Sequence, residues 1–145
     1  MSKRRTLMRE IARTRYAWNE YVRAIAQAEG IPDSYRPVIM FLHHHPGFSQ
    51  RSTAEFVGVT TSAINQVVKN MLEENYLRKE PDPSDKRSCK LYLTERGEAV
   101  ARRLHEKLDE ADDAITALIG AQREEEWMDL LDQLTKFIRK DLRQC

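Results

Sequence analysis

The sequence contains little of what disulfide-bonded domains, membrane proteins and secreted proteins require. Its 145 residues include only two cysteines, Cys89 and Cys145, which are too far apart to give a metal-ligand spacing. No run approaches the roughly 18 apolar residues of a membrane span. The basic N-terminus lacks the uninterrupted apolar segment of a secretory signal. We therefore expect a cytoplasmic location.

Catalytic motifs are also missing from the sequence. It has no glycine-rich phosphate loop, no nucleophile elbow and no pair of carboxylates in a cleft-like context. The three glutamates at 124–126 fit the first turn of a helix, where acidic side chains are stabilised by the helix dipole. The sequence thus predicts a protein that is not an enzyme and that needs no cofactor.

Residues 49–73 predict two helices joined by a tight turn. Ser49 and Thr60 are good N-caps for these helices, and Thr94 is one for the long helix that is expected further along the chain. Gly58 lies between them and can adopt the positive φ that ends the first helix. Phe56 is expected on the apolar face of the first helix. The turn has the length of a helix-turn-helix motif.

The second of these helices separates apolar from polar side chains. Its apolar residues recur at helical spacing and predict a buried stripe: Ile64, Val68, Met71 and Leu72. At roughly 100° per residue, the opposite side collects four polar residues: Ser62, Asn65, Gln66 and Lys69. Amides and hydroxyls can donate to and accept from base edges, which suits readout of the DNA major groove. An ordinary solvated face has the same composition.

A hairpin with a basic tip follows the two helices. Residues 77–80 and 88–93 predict short strands, and Pro81 and Pro83 are expected to end the first strand. The tip reads Ser84-Asp85-Lys86-Arg87. An arginine on a protruding loop can enter a narrow minor groove, and we expect Asp85 to orient that guanidinium. A helix-turn-helix followed by a basic hairpin predicts a winged helix.

Over this segment the chain resembles the MarR family of bacterial transcriptional regulators. The matching residues are Gln50, Ala54, Glu55, Gly58 and Val59, then Asp82-Pro83-Ser84-Asp85-Lys86-Arg87 and Leu93-Thr94-Glu95-Arg96-Gly97. The resemblance implies a dimeric winged-helix DNA-binding protein, often a repressor that a small molecule releases. The chain departs from the family at Thr53, where leucine is usual, and at Gln66 and Asn70, where arginine is frequent. Fewer phosphate contacts imply a shallower salt dependence of DNA binding.

Ten residues are therefore expected at the DNA. Those on the second helix present hydroxyls, amides and an ammonium group, and those on the hairpin present charge. They are Thr60, Thr61, Ser62, Asn65, Gln66, Lys69, Asp85, Lys86, Arg87 and Lys90. Thr60 and Thr61 stand at a helix N-terminus, where backbone N–H groups favour phosphate.

Long apolar stripes flank the winged helix, which is too small to cover them. We expect residues 1–32 to hold an N-terminal dimerisation helix, 33–97 the winged helix-turn-helix and 98–145 two C-terminal dimerisation helices. The fold class is mainly α with a small β-wing. Packing against a second copy in a two-fold homodimer would bury the stripes and space two recognition helices about 34 Å apart. An intramolecular bundle is the alternative.

Charge is distributed unevenly along the chain. Residues 1–29 contain seven basic and three acidic side chains, whereas residues 104–132 contain two basic and ten acidic ones. DNA would repel the acidic segment, which should therefore point away from the duplex. Because the net charge over 49–97 is only +1, from eight basic and seven acidic residues, binding must rest on where a few charges are placed.

Family members bind aromatic or phenolic anions between their dimerisation helices and their winged helix. By this resemblance, four residues that precede the helix-turn-helix are candidates for an effector site: Arg15, Trp18, Tyr35 and His43. Arg36 is a second candidate partner for a carboxylate. The same residues are also explained as ordinary core and surface residues.

Two other readings remain open. A metal- or redox-responsive regulator of the same fold would use His43-His44-His45, with His105 elsewhere in the chain, or Cys89 beside basic residues of the wing. Adjacent helical histidines diverge by about 100°, so no metal ligand set is assigned. A winged-helix protein-interaction module that does not bind DNA is the other alternative. The sequence names neither the operator nor the effector.

Overall fold

The computed structural model describes residues 5–142, which form six helices and one two-stranded antiparallel sheet. The helices are α1 Leu7–Ala28, α2 Tyr35–His44, α3 Gln50–Val57, α4 Thr61–Glu73, α5 Glu95–Ile119 and α6 Ala121–Lys140. The strands are β1 Leu77–Asp82 and β2 Asp85–Leu93. This confirms the predicted fold class. The predicted start of α1 at Lys3 lies outside the described residues.

Short polar side chains begin three of the helices, as the sequence predicts. Ser49 accepts a hydrogen bond from the Ser52 N–H at the start of α3, and Thr60 accepts one from the Ala63 N–H at the start of α4, both at 3.1 Å. Thr94 does the same for α5. Because each hydroxyl satisfies a backbone donor that the helix leaves unpaired, these residues fix where the helices begin.

The core of the winged helix forms where α2 packs against α3 and β2, and where α4 packs against β1. Its fully buried side chains are Val38, Ile39, Leu42, Thr53, Ile64, Val68, Met71, Leu91 and Leu104. Thr53 is the polar member of this set, and its hydroxyl donates to the Ser49 carbonyl at 2.8 Å. That bond explains how a threonine is accommodated at a position where an apolar residue was expected.

The first strand of the wing is longer than the sequence predicts. It continues through Pro81, which pairs with Cys89, and ends at Asp82, where the register shifts. The expectation that Pro81 would stop this strand is therefore wrong. Proline is tolerated because β1 is an edge strand, so its missing N–H need not leave a ladder bond unmade.

A third short stretch of chain pairs with β2 on the other side from β1. Gly47 donates to the Leu91 carbonyl at 2.9 Å, and Leu91 donates to the Phe48 carbonyl at 3.0 Å. Gly47 has φ +82°, and a β-carbon there would lie 2.8 Å from the Tyr92 hydroxyl. These bonds, with the isolated bridge between Ser49 and Lys90, fix the wing to the segment that enters α3.

The chain divides into two compact units between Glu106 and Lys107. The first unit contains α1 to α4, the wing and the start of α5. The second contains the rest of α5 and α6, separated by Gly120 at φ +89°. None of the described α6 residues is buried. Over residues 5–142, no helix is both long and apolar enough to cross a membrane.

Candidate nucleic-acid interface

The first turn of α4 is exposed and has a free approach from solvent. Gly58 adopts φ +77° and ψ 34°, the left-handed conformation that ends α3, and Thr60 then caps α4. Thr60, Thr61 and Ser62 are all exposed. A helix N-terminus carries partial positive charge on its first N–H groups, so this turn is suited to an anion such as a phosphate.

One face of α4 is polar and exposed along its length, while the other is buried. Asn65, Gln66 and Lys69 are exposed, and Ile64 and Val68 on the opposite face are 1% exposed. The predicted division of α4 into two faces is thus confirmed. Its four polar side chains project from a helix that the core holds rigidly, which is what base readout by a helix requires.

Amide side chains on this face are linked to one another. The Gln50 side-chain amide, at the start of α3, donates to the Asn65 side-chain oxygen. One turn along α4, the Gln66 amide donates to the Asn70 oxygen at 2.9 Å. Four amide side chains are therefore joined in two separate pairs. Their helical spacing predicts the second bond, whereas only the packing of α3 on α4 creates the first.

Two carboxylates shape the tip of the wing. The Asp82 carboxylate accepts from the Ser84 hydroxyl at 2.7 Å and from the Ser84 N–H at 2.9 Å, and these bonds lower the pKa of Asp82. Asp85 accepts from the backbone N–H of Arg87 at 2.9 Å. The expectation that Asp85 holds the Arg87 guanidinium is wrong in this structure, because the carboxylate instead holds the backbone from which the guanidinium projects. Such bonds are typical of turns led by aspartate.

The basic side chains of the wing differ in exposure. Lys86 and Arg87 are exposed at the tip, whereas Lys90 is half-buried where β2 also meets Ser49. Lys90 is paired across the sheet with Glu80. The two tip residues are therefore free to reach a partner beyond the protein, and Lys90 lies nearer the body of the winged helix.

The segment Thr94 to Gly97 anchors the wing to the end of α4. The Thr94 hydroxyl donates to the Asn75 carbonyl at 2.6 Å, and Arg96 donates to the Glu74 carbonyl at 2.7 Å and lies 4.2 Å over the Tyr76 ring. A β-carbon at Gly97 would overlap the Tyr76 carbonyl oxygen. These contacts give physical reasons for the Thr-Glu-Arg-Gly motif, which the sequence showed only as a resemblance.

The four predicted effector residues have different surroundings. Tyr35 is buried and donates to Glu74 at 2.8 Å; burial, followed by this hydrogen bond, raises its pKa to about 12. His43 lies at the other end of α2. Trp18 contacts Tyr21 on α1, at 5.7 Å between ring centroids, and Arg15 is exposed.

Three histidines from distant parts of the sequence converge. The rings of His43, His44 and His105 lie 5.1–6.0 Å apart, and His43 Nδ1 is 2.6 Å from the Glu98 carboxylate. Sequence reasoning separated His105 from the others because no local pattern links α2 to α5. Within residues 5–142, no group of three or more potential ligands is arranged to hold a metal ion.

An open apolar groove of about 400 Å³ lies between α2 and α3. It is lined by Pro37, Met40, Phe41, His44, His45, Phe56 and Val57. The Phe56 ring stacks on Phe41 with 4.3 Å between centroids and is 69% exposed. Phe56 thus lines an open groove rather than the core, since α3 is short and its buried residues are Thr53 and Ala54.

The redox candidate Cys89 is exposed on β2 and is a free thiol. It lies opposite Pro81 in the wing. Cys145, the other cysteine, lies outside the described residues.

Comparison with known proteins identifies the winged-helix segment. Residues 29–88 match the family model described as "MarR family". The HTH-type transcriptional regulator BilQ of Clostridium symbiosum is 26% identical over 110 residues, which are 76% of this chain and 76% of BilQ. The residues that match the family model include α2, α3, α4 and most of the wing. These are the elements that carry the interface described above.

Solved structures extend the likeness to nearly the whole chain. The MarR family transcription regulator SP03579 superposes with a TM-score of 0.87, covering 96% of this chain and 94% of that chain at 16% identity. NadR in complex with 4-hydroxyphenylacetate gives a TM-score of 0.75, covering 94% and 96% at 22% identity. At these identities the structures establish the fold, and together with the family model they confirm the resemblance drawn from the sequence.

Proposed function

We propose that the chain is a MarR-type transcriptional regulator, and that it is a repressor acting as a homodimer in the cytoplasm. It binds a pseudo-palindromic operator with one winged helix on each half-site. A small-molecule effector releases it. The observation that supports this most strongly is the exposed polar face of α4 beside an exposed basic wing tip.

In this proposal each part of the interface has its own contact. The first turn of α4 binds phosphate through Thr60 and Thr61. The polar face of α4 reads base edges in the major groove through Ser62, Asn65, Gln66 and Lys69. Arg87 enters the minor groove, with its backbone held by Asp85. Lys86 and Lys90 contact phosphates and position the protein without reading sequence.

The dimer is proposed from the C-terminal helices. Apolar side chains recur along α6 and remain exposed: Trp127, Met128, Leu130, Leu131 and Phe137. Exposed apolar surface of this extent is typical of an interaction site. A second copy is the partner that supplies two equivalent recognition helices, and half-sites one DNA turn apart, about 34 Å, match such a pair.

Fluorescence anisotropy tests the proposal directly. The protein is titrated onto its own upstream intergenic DNA and onto a scrambled duplex, each at two salt concentrations. Selective binding by a dimer is expected, and Arg87→Ala should weaken it about tenfold or more, the scale of one good charged contact. The matched control is Arg123→Ala, which removes the same side chain from the acidic part of the chain and should leave affinity unchanged.

Three outcomes would contradict parts of the proposal. If the two duplexes are bound equally and a genome-wide DNA selection recovers no preferred sequence, the protein is not a sequence-specific regulator, and the protein-interaction module is favoured instead. If Arg87→Ala and Arg123→Ala weaken binding equally, the wing has no special place at the DNA. Operator binding by a monomer would overturn the dimer while leaving the DNA-binding role intact.

For the effector we propose an aromatic acid. The open groove between α2 and α3 presents stacked phenylalanine rings beside His44 and His45, which suits a flat ring with an anionic group. NadR was crystallised with 4-hydroxyphenylacetate, so that compound is the first probe. Adding it to the protein–DNA complex should lower anisotropy, and Phe41→Ala should reduce the response more than Trp18→Ala. A response to zinc or peroxide instead would favour the metal- or redox-sensing alternatives.

A further inference from the structure

Two amide groups on the exposed face of α4 are oriented by hydrogen bonds within the protein. Gln50 donates its amide nitrogen to the Asn65 oxygen, and Gln66 donates its own to the Asn70 oxygen at 2.9 Å. A carboxamide carries an accepting oxygen on one arm and a donating NH₂ on the other. A bond to one arm therefore determines which arm remains for a ligand.

The two residues are left with opposite polarity. The Asn65 oxygen faces Gln50, so its NH₂ group remains as a donor. The Gln66 nitrogen faces Asn70, so its oxygen remains as an acceptor. Both side chains are exposed, and neighbouring positions on α4 thus present a donor and then an acceptor to whatever lies against this face.

We infer that Gln50 is a specificity-determining positioning residue, which acts by fixing Asn65 as a donor toward the base it meets. This inference rests on the proposed function. In the major groove, guanine, thymine and adenine present acceptors (O6 and N7, O4, and N7 respectively), whereas only adenine and cytosine present donating amines. Asn65 should therefore select against cytosine on the strand it reaches, and Gln66 should select adenine or cytosine.

The bond from Gln50 also competes with the commonest asparagine contact. An asparagine that reads adenine uses both arms at once, with its oxygen on N6 and its NH₂ on N7. With the Asn65 oxygen turned toward Gln50, that paired contact requires the same oxygen to accept a second hydrogen bond. The base preference of α4 would then depend on a residue of α3 that itself touches no base.

Gln50→Glu provides a test that reverses the preference rather than merely weakening binding. An ionised glutamate only accepts hydrogen bonds, so Asn65 must turn its NH₂ group toward residue 50 and its oxygen outward. The substitution lies in the first turn of α3, where a carboxylate is favoured by the helix dipole, so folding should be maintained. Thermal unfolding followed by circular dichroism checks this.

The experiment is selection of bound duplexes from a randomised DNA library by the full-length protein. Four proteins are compared: wild type, Asn65→Ala, Gln50→Glu and Asn70→Asp. Asn70→Asp is the matched control, because it adds the same negative charge to the interface while its carboxylate still accepts from Gln66. Both acidic variants should lose affinity through repulsion of phosphates, but only Gln50→Glu should change which base is selected.

The expected result is that Asn65→Ala identifies one half-site position by abolishing its preference. At that position the wild type should disfavour cytosine, and Gln50→Glu should favour adenine or cytosine over guanine or thymine, changing the ratio of the two classes by about tenfold or more. Asn70→Asp should keep the wild-type base.

Three outcomes would overturn the inference. Gln50→Glu may retain the wild-type base at the position that Asn65→Ala identifies, or Asn65→Ala may alter no position at all. In both cases a selective wild type would leave the proposed function intact. If the wild type itself selects no sequence, the proposed function fails, and the inference fails with it.

Discussion

The winged helix and the C-terminal helices solve the burial of apolar side chains in different ways. In the winged helix, residues such as Leu42 and Ile64 are at most 1% exposed. In α6 none of the described residues is buried, although the helix carries apolar side chains at regular spacing. The winged helix buries its apolar side chains against one another. Helix α6 leaves its apolar side chains exposed, which suits contact with another molecule. The predictions below test that difference, from the largest expected effect to the smallest.

The sharpest test removes the same atoms from each region. Leu42→Ala should lower the free energy of unfolding by about 2–5 kcal/mol, since it leaves a cavity in a close-packed core. Leu118→Ala removes those atoms from a side chain that is 85% exposed and should change stability by less than about 0.5 kcal/mol. Urea unfolding of both variants measures the two costs. Equal losses in the free energy of unfolding would contradict the difference between the two regions. They would mean that Leu118 is buried in the assembled protein.

The close contact between Gly97 and the Tyr76 carbonyl oxygen tests how closely the winged helix is packed. Gly97→Ala should cost about 2–3 kcal/mol, because the added carbon overlaps the Tyr76 carbonyl oxygen and approaches the Leu93 side chain. Gly58→Ala is the control, with open space around it, and should cost only about 1 kcal/mol for its left-handed conformation. Thermal unfolding ranks the two. The reverse order would show that the contact at Gly97 relaxes without strain.

Substitutions on α6 test what its exposed face is for. In a homodimer, Leu130→Ser should weaken self-association by about tenfold, which corresponds to roughly 1.4 kcal/mol. Glu126→Ser is the control on the same helix and should have little effect. Sedimentation equilibrium over a range of concentrations gives the dissociation constants. An unchanged constant for Leu130→Ser would place the dimer contact elsewhere.

The smallest effect concerns a polar contact inside the winged helix. Tyr35→Phe removes the hydroxyl that donates to Glu74 and should cost about 1 kcal/mol at neutral pH. The pKa of Tyr35 is raised from 10.0 to about 12 in the fold. The contribution of the Tyr35 hydroxyl to the free energy of unfolding is therefore complete below pH 10 and is lost as pH rises through about 12.

Urea unfolding of wild type and Tyr35→Phe between pH 8 and about 12 checks this sign. The wild type should lose more stability than the variant as pH rises, so that the two curves approach each other. Parallel curves would mean that the Tyr35 hydroxyl titrates alike in the folded and unfolded chains.

Local pattern was enough to predict most elements of the fold. Ser49, Thr60 and Thr94 were recognised as caps because a hydroxyl satisfies N–H groups within the same turn, a contact that needs no distant partner. The two faces of α4 followed from helical periodicity alone. Pro81 was misjudged because a proline's effect on a strand depends on which neighbours the strand has, and local sequence does not contain that information.

The candidate interface also combines features that local sequence predicts with contacts that it does not predict. The ten expected residues and the family resemblance came from motifs read along the chain, and the exposure of the α4 face agreed with them. Contacts between elements were missed: the bond from Gln50 to Asn65, the convergence of His105 with His43 and His44, and the hold of Asp85 on the Arg87 backbone rather than its side chain.

The sequence by itself determined where the helices begin and end, which face of α4 is polar and which family the winged helix resembles. These properties depend on interactions within a few residues, which periodicity and capping record directly. Only the tertiary structure decided which amide arm Asn65 presents, where Phe56 lies and why Gly97 admits no side chain. Each of these depends on the distance between atoms that are far apart along the chain, and that distance exists only once the helices and the wing have packed.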